Sequence, residues 1–254
     1  MLSATAQQAA DRLLEALAAE PALVALFLGG SHAAGTATPA SDVDVTVLVD
    51  DEAAIEQALE RLGDEFTLLG TFHEVPHFRC GPSRLAVCAY HRGWVDGWVA
   101  HAFRSPDDLL QWQGWLQHKI VDAVALHDPD DLLRGYQQHL RTYPVALADE
   151  VAADALDHLQ SEHLDGGGFR SIYHFAYCLC DLLEHLGIAL FARNRRFYAP
   201  PLKHWPRQLA SLQPPLEEAL QQLVALSPDV DLAGKHELLL SIMQRLRAAK
   251  TTGA

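Results

Sequence analysis

Ala and Leu recur at helical spacing through residues 5–19, with Asp11, Arg12 and Glu15 on the opposite side. That pattern predicts an amphipathic helix ended near Pro21. A short apolar run at 22–28 and a valine-rich run at 42–49 read as buried strands, with a short helix start at 31–36 between them. Residues 51–62 read as a helix, and 65–80 as a loop with one short strand. Apolar runs at 84–90 and 94–103 read as two strands joined by a hairpin at His91-Arg92-Gly93. Ser105-Pro106-Asp107-Asp108 has the form of a helix start, with a capping serine, a first-turn proline and two acids. A last strand is expected at 121–126, closed by His127-Asp128-Pro129. Beyond it the 3.6-residue period is sustained, and helices are expected at 130–141, 145–164, 169–192, 215–226 and 232–248.

The shift of pattern near 128–145 divides the chain into two expected domains, 1–128 and 129–254. The fold class is α/β in its α+β form: a small mixed β-sheet domain followed by an all-α helical bundle.

Composition adds less than pattern. The 254 residues are 49% hydrophobic, enough for a packed core. Lys plus Arg number 19 against 33 Asp plus Glu, a formal charge of -14. That balance repels nucleic-acid backbones and anionic lipid, and favours a cationic small molecule. Cys80, Cys88, Cys178 and Cys180 have neither zinc-ribbon nor CxxC spacing, so reduced thiols and a cytoplasmic location are expected. The first residues lack a basic region followed by an apolar run, so no secretory leader is expected. No stretch reads as the roughly 18 apolar residues of a membrane span.

The chemistry concentrates between the first two strands. Gly29-Gly30-Ser31 is followed ten residues on by Asp42-Val43-Asp44. Residues i and i+2 of a strand share a face, so the two carboxylates stand side by side with Val43 turned into the core. Mg²⁺ is usually held by one or two carboxylates plus substrate phosphates. The glycine turn offers backbone N–H groups, the Ser31 hydroxyl and close approach. A site with two metal ions calls for a third carboxylate. Asp96, an acid inside an apolar run, is the expected third ligand, with Glu74 as the alternative, and the expected general base, with Glu74 or an acid of the helical domain as alternatives. The bland reading makes Asp96 part of the turn after Gly93.

Gly29-Gly30-Ser31, Gly35, Ser41-Asp42-Val43-Asp44 and a later Asp96 resemble the DNA polymerase β-like nucleotidyltransferase superfamily, most closely its small bacterial aminoglycoside and lincosamide enzymes. The resemblance implies that Gly30, Ser31 and Ser41 bind the triphosphate, that Asp42, Asp44 and Asp96 bind two Mg²⁺ ions, and that ATP or another NTP is the donor. It also likens Leu190–Tyr198 and Pro200–Lys203 to a segment that carries a lysine to the triphosphate, so Lys203, with Asn194 or Arg195, is expected to touch phosphate. The bland reading of that cluster is a basic helix end stabilised by its own dipole. The nucleotide is expected between the two domains, and the acceptor is a small-molecule hydroxyl, an aminoglycoside-type antibiotic being the leading instance. Two other classes remain: an antitoxin-like enzyme that adenylylates a partner protein, and a nucleotide-binding module without catalysis.

Arg170, His174, Tyr177, Asp181 and Glu184 form one polar side of the helix at 169–192. They read either as a wall that meets the acceptor or as an ordinary solvated face. The fourteen histidines contain no HExxH pattern.

Overall fold

The computed structural model describes residues 4–18, 20–38, 40–51, 53–54, 57, 60, 66–72, 75–110, 117–165, 167–198, 209–226 and 231–249. The chain divides into two compact units: residues 1–102 with 115–142, and residues 103–114 with 143–254.

The first unit is built on a six-stranded mixed sheet. Its strands are β1 (Leu23–Leu28), β2 (Val43–Val49), β3 (Thr67–Phe72), β4 (Val75–Cys80), β5 (Ser83–His91) and β6 (Val124–His127), in the order β3-β4-β5-β2-β1-β6. Neighbours are antiparallel except β2 and β5, which run parallel with Asp44 opposite Ala86. Helices α1 (Ala4–Leu17), α2 (Gly30–Ala33), α3 (Arg92–His101) and α4 (Leu132–Leu140) and a π turn, Gln117–Val121, belong to the same unit. Alternation along β2 sorts the two faces. Val43, Val45, Val47 and Val49 are buried in one cluster with Leu26 and Leu28 of β1, Leu85 and Val87 of β5, and Leu13 and Leu17 of α1. The other face carries Asp44 and Thr46, and it is the face that matters chemically.

Residues 94–103 were expected as a strand, and 94–101 instead belong to α3, so there is no hairpin at 91–93. The apolar positions explain why. Val95 and Val99, four apart, are the buried pair, and the His91 side chain caps the helix by accepting from the Gly93 N–H at 3.1 Å. The hairpin lies one strand earlier, where Gly81, at φ 56, turns β4 into β5. Residues 129–142 group with the sheet rather than with the later helices. Gln137 of α4 fastens them there, its amide donating to the carbonyls of Ile120, Val121 and Ala123. Of the helix expected at 51–62, only residues 53, 54, 57 and 60 are described, and all four are helical.

The second unit is helical: α5 (Val145–Leu159) running into a π turn (Gln160–Leu164), then α6 (Ile172–Arg193), α7 (Glu217–Val224) and α8 (Leu232–Ala248). The Ser105 hydroxyl accepts from the Asp108 N–H at 3.1 Å, as its capping pattern predicts. The sequence offered no span-length apolar run, yet α6, with 22 residues and a hydropathy of 1.5, is long and apolar enough to cross a membrane; 61% of its most apolar window is buried. Phe175, Leu182, Leu186 and Leu190 of α6 pack with Val151, Leu156 and Leu159 of α5 and with Leu239 and Ile242 of α8, which accounts for that hydropathy as the centre of a core. All four cysteines are free; Cys178 and Cys180, two apart on α6, are buried and exposed respectively.

Candidate active site

The site grows out of the β1–α2 turn. Gly29 N–H donates to the Asp44 carbonyl at 2.8 Å, which continues the β1–β2 ladder past Leu28. Gly30 then takes a left-handed φ of 62. A Cβ there would overlap Asp44 Oδ2 and lie 2.7 Å from Cγ. Only glycine satisfies both the backbone conformation and the approach of the carboxylate. Ser31 follows, buried, with its carbonyl accepting from the Thr36 N–H at 2.9 Å. The Ser41 hydroxyl accepts from the Thr38 N–H at 2.9 Å in an exposed turn just before Asp42.

Asp42 lies just before β2 and Asp44 is its second residue. Two partners come from distant sequence. The Lys119 ammonium stands 3.2 Å from Asp44 Oδ1, with the lysine and carboxylate side chains only 10% and 16% exposed. Burial works against the lysine's charge, but the neighbouring Cys88 sulfur and Asp44 outweigh it and lift its pKa above the ordinary value. His77 Nδ1 lies 3.8 Å from Asp42 Oδ2. The register explains His77: it pairs with Ala86, which pairs with Asp44, so all three share one row and one face. Arg79 and Arg84 form the adjoining row, and both are exposed.

Asp96 is not among these groups. It lies on α3, where Tyr136 O–H donates to its Oδ1 at 2.6 Å and Arg92 Nε is 3.9 Å from its Oδ2. Arg92 also pairs with Asp50 at 3.0 Å, just past the end of β2. Asp44 and Asp50 are six residues apart along the strand, about 20 Å at roughly 3.3 Å per residue. The expected third ligand therefore belongs to the opposite end of β2. Position 86, where β5 faces Asp44, is an alanine. Glu74, the alternative, is outside the described residues.

Asn194 and Arg195 belong to the second unit. Asn194 caps α6, its amide donating to the carbonyls of Leu190 and Gln213, both at 2.7 Å, and its oxygen accepting from the Gln213 N–H at 2.8 Å. Every polar atom of that side chain holds backbone, which is a structural task. Arg195 takes a left-handed φ of 53 just past the helix end, and its Nε is buried without a hydrogen-bond partner. Lys203 is outside the described residues.

Asp42 and Asp44 present hard oxygen donors from one strand, with a glycine turn packed against one of them. That set fits a Mg²⁺ ion shared with substrate phosphates. Two such acids at the start of one strand beside a glycine turn are compatible with nucleotidyl transfer. Residues 10–75 match the family model described as "Nucleotidyltransferase domain". Among curated proteins none matches the chain. Two similar solved structures are a nucleotidyltransferase-like protein from Exiguobacterium sibiricum 255-15 and spectinomycin adenyltransferase AAD(9) from Enterococcus faecialis, the latter solved with ATP and spectinomycin. The first is 17% identical over 95% of this chain and 74% of that one, with a TM-score of 0.45. The second is 10% identical over 96% of this chain and 98% of that one, with a TM-score of 0.34.

Proposed function

We propose that this nucleotidyltransferase moves a nucleoside monophosphate, AMP from Mg-ATP, to a hydroxyl of a small cationic molecule and releases pyrophosphate. The observation that carries the reading is the Asp42–Asp44 pair beside Gly30. These carboxylates would hold Mg²⁺, which supplies charge neutralisation at the phosphates. Gly30 and Ser31 receive the triphosphate against backbone, and the guanidinium groups of Arg79 and Arg84 meet it on the same face. The Lys119 ammonium, 3.2 Å from Asp44 Oδ1, adds positive charge beside the pair. Asp42 orients the His77 imidazole, which takes the proton as the acceptor hydroxyl attacks the α-phosphorus in line. Lys203 remains the proposed triphosphate contact outside the described residues.

The charge of -14 favours a cationic acceptor, an aminoglycoside-type antibiotic being one such molecule. The four free thiols suit a cytoplasmic location. The test is Mg-dependent pyrophosphate release with ATP alone, with an aminoglycoside panel and with cell lysate. Release only with a cationic hydroxyl compound supports the reading. A labelled protein band selects the adenylylating antitoxin-like alternative, and nucleotide binding without release selects the non-catalytic one.

A further inference from the structure

Within the second unit, two helices gather four side chains that the nucleotide chemistry does not use. His158 lies in the last turn of α5 and His163 in the π turn that follows. Residues five apart on an α-helix point about 140° away from each other at 100° per residue. The wider π turn removes most of that angle, and such turns often mark functional sites. Here it puts both imidazoles on one side. The neighbouring helix α6 supplies Asp181 and His185, four apart and so on one face.

The four converge. His158 Nε2 and His163 Nε2 lie 3.1 Å and 2.5 Å from the same oxygen, Asp181 Oδ2. His185 Nδ1 donates to the Asp181 carbonyl at 3.0 Å and lies 3.2 Å from Oδ1. Its ring stacks on His158, with centroids 3.8 Å apart and planes at 15°. One ligand atom each from His158, His163 and Asp181 falls within a 4.8 Å sphere of separations. Ligands on a tetrahedral zinc at 2.0–2.2 Å stand about 3.4 Å apart, so small side-chain rotations close the site.

We propose that His158, His163 and Asp181 bind one divalent transition-metal ion of the zinc class, with His185 as the positioning residue. Two imidazoles with one carboxylate select such an ion over Mg²⁺ or Ca²⁺, which take oxygen ligands. His185 fixes the Asp181 carboxylate and the His158 ring, the supporting role that carbonyls and carboxylates play around metal ligands. Three protein ligands leave a fourth position for water or a bound molecule.

The test is zinc titration of the chelator-treated full chain by calorimetry, in the presence of excess Mg²⁺. The expected result is one equivalent bound, unchanged in Asp42→Asn, at least tenfold weaker in His163→Gln and Asp181→Asn, and about 10–100-fold weaker in His185→Ala. Circular dichroism in chelator confirms that each variant is folded; His158→Gln replaces any that is not. A wild-type chain that takes up no zinc overturns the proposal without recourse to variants. So does uptake that persists in all of them, or uptake lost in Asp42→Asn alone. None of these outcomes bears on nucleotidyl transfer.

Discussion

The α-carbon of Gly30 packs against the carboxylate of Asp44, so closely that a Cβ at residue 30 would overlap Asp44 Oδ2. The turn and the ligand are therefore one object. Gly30→Ala must displace the carboxylate and also adopt a left-handed φ, which costs an L-residue roughly 1–2 kcal/mol. The expected outcome is a fall in pyrophosphate release of at least about 100-fold, the scale on which small misplacements act. Stability falls by about 2 kcal/mol in urea unfolding.

Lys119 is the second determinant of that carboxylate. Lys119→Met leaves Asp44 buried without its cation, and breaking a buried pair from one side costs about 3–5 kcal/mol. Both side chains keep some exposure, so the lower end applies. Urea unfolding measures the loss. Activity should fall in the residual folded protein as well.

Asp42 and Asp96 should separate cleanly. Asp42→Asn is expected to lower turnover with Mg-ATP at least about 1000-fold, since it removes a carboxylate from the proposed metal-binding pair. Asp96→Asn should leave kcat/KM within about threefold, because Asp96 is tied to Tyr136 and Arg92 at the far end of β2. A large loss of turnover in Asp96→Asn would return that residue to the site.

Tyr136 gives the first unit an alkaline weakness. Burial first, and then its hydrogen bond to Asp96, raise the phenol above its ordinary value of 10.0. A raised folded pKa favours the protonated form, so the stabilisation is full below pH 10.0 and is lost as pH climbs toward the folded value. Tyr136→Phe should lose about 1 kcal/mol at neutral pH, given the exposed Asp96 partner. It should also flatten the decline above pH 10 in urea midpoints measured across that range.

Asn194→Ala tests a structural assignment. Three bonds tie its side chain to Leu190 and Gln213. Their loss should cost about 2 kcal/mol and leave the KM for ATP unchanged. A raised KM with unchanged stability would make it a phosphate ligand instead.

Much of this was legible because local pattern and final burial agree. The helix expected at 232–248 is found at Leu232–Ala248, and the strand expected at 42–49 at Val43–Val49. Asp42, Asp44 and Gly30 lie together as expected for the same reason, since one turn and the start of one strand place them. Residues 94–103 misled because Trp94-Val95 and Trp98-Val99 put apolar pairs four apart around Gly97, which reads as a continuous apolar run. β4 was obscured by Pro76, and with it His77. Lys119 is 75 residues from Asp44. Nothing in the local pattern around an isolated lysine indicates which carboxylate it will meet.

Strand β2 carries a last consequence. Its valines close the core on one side while its acids stand on the other, and a slip of one residue would exchange the two sets. A misregistered sheet would bury two carboxylates among leucines, a state too costly to persist. Biogenesis thus has a built-in inspection. Any copy whose sheet has closed has also set out the carboxylates proposed to hold the metal, and a copy that fails to present them has exposed the apolar surface by which a cell's chaperones and proteases recognise faulty product.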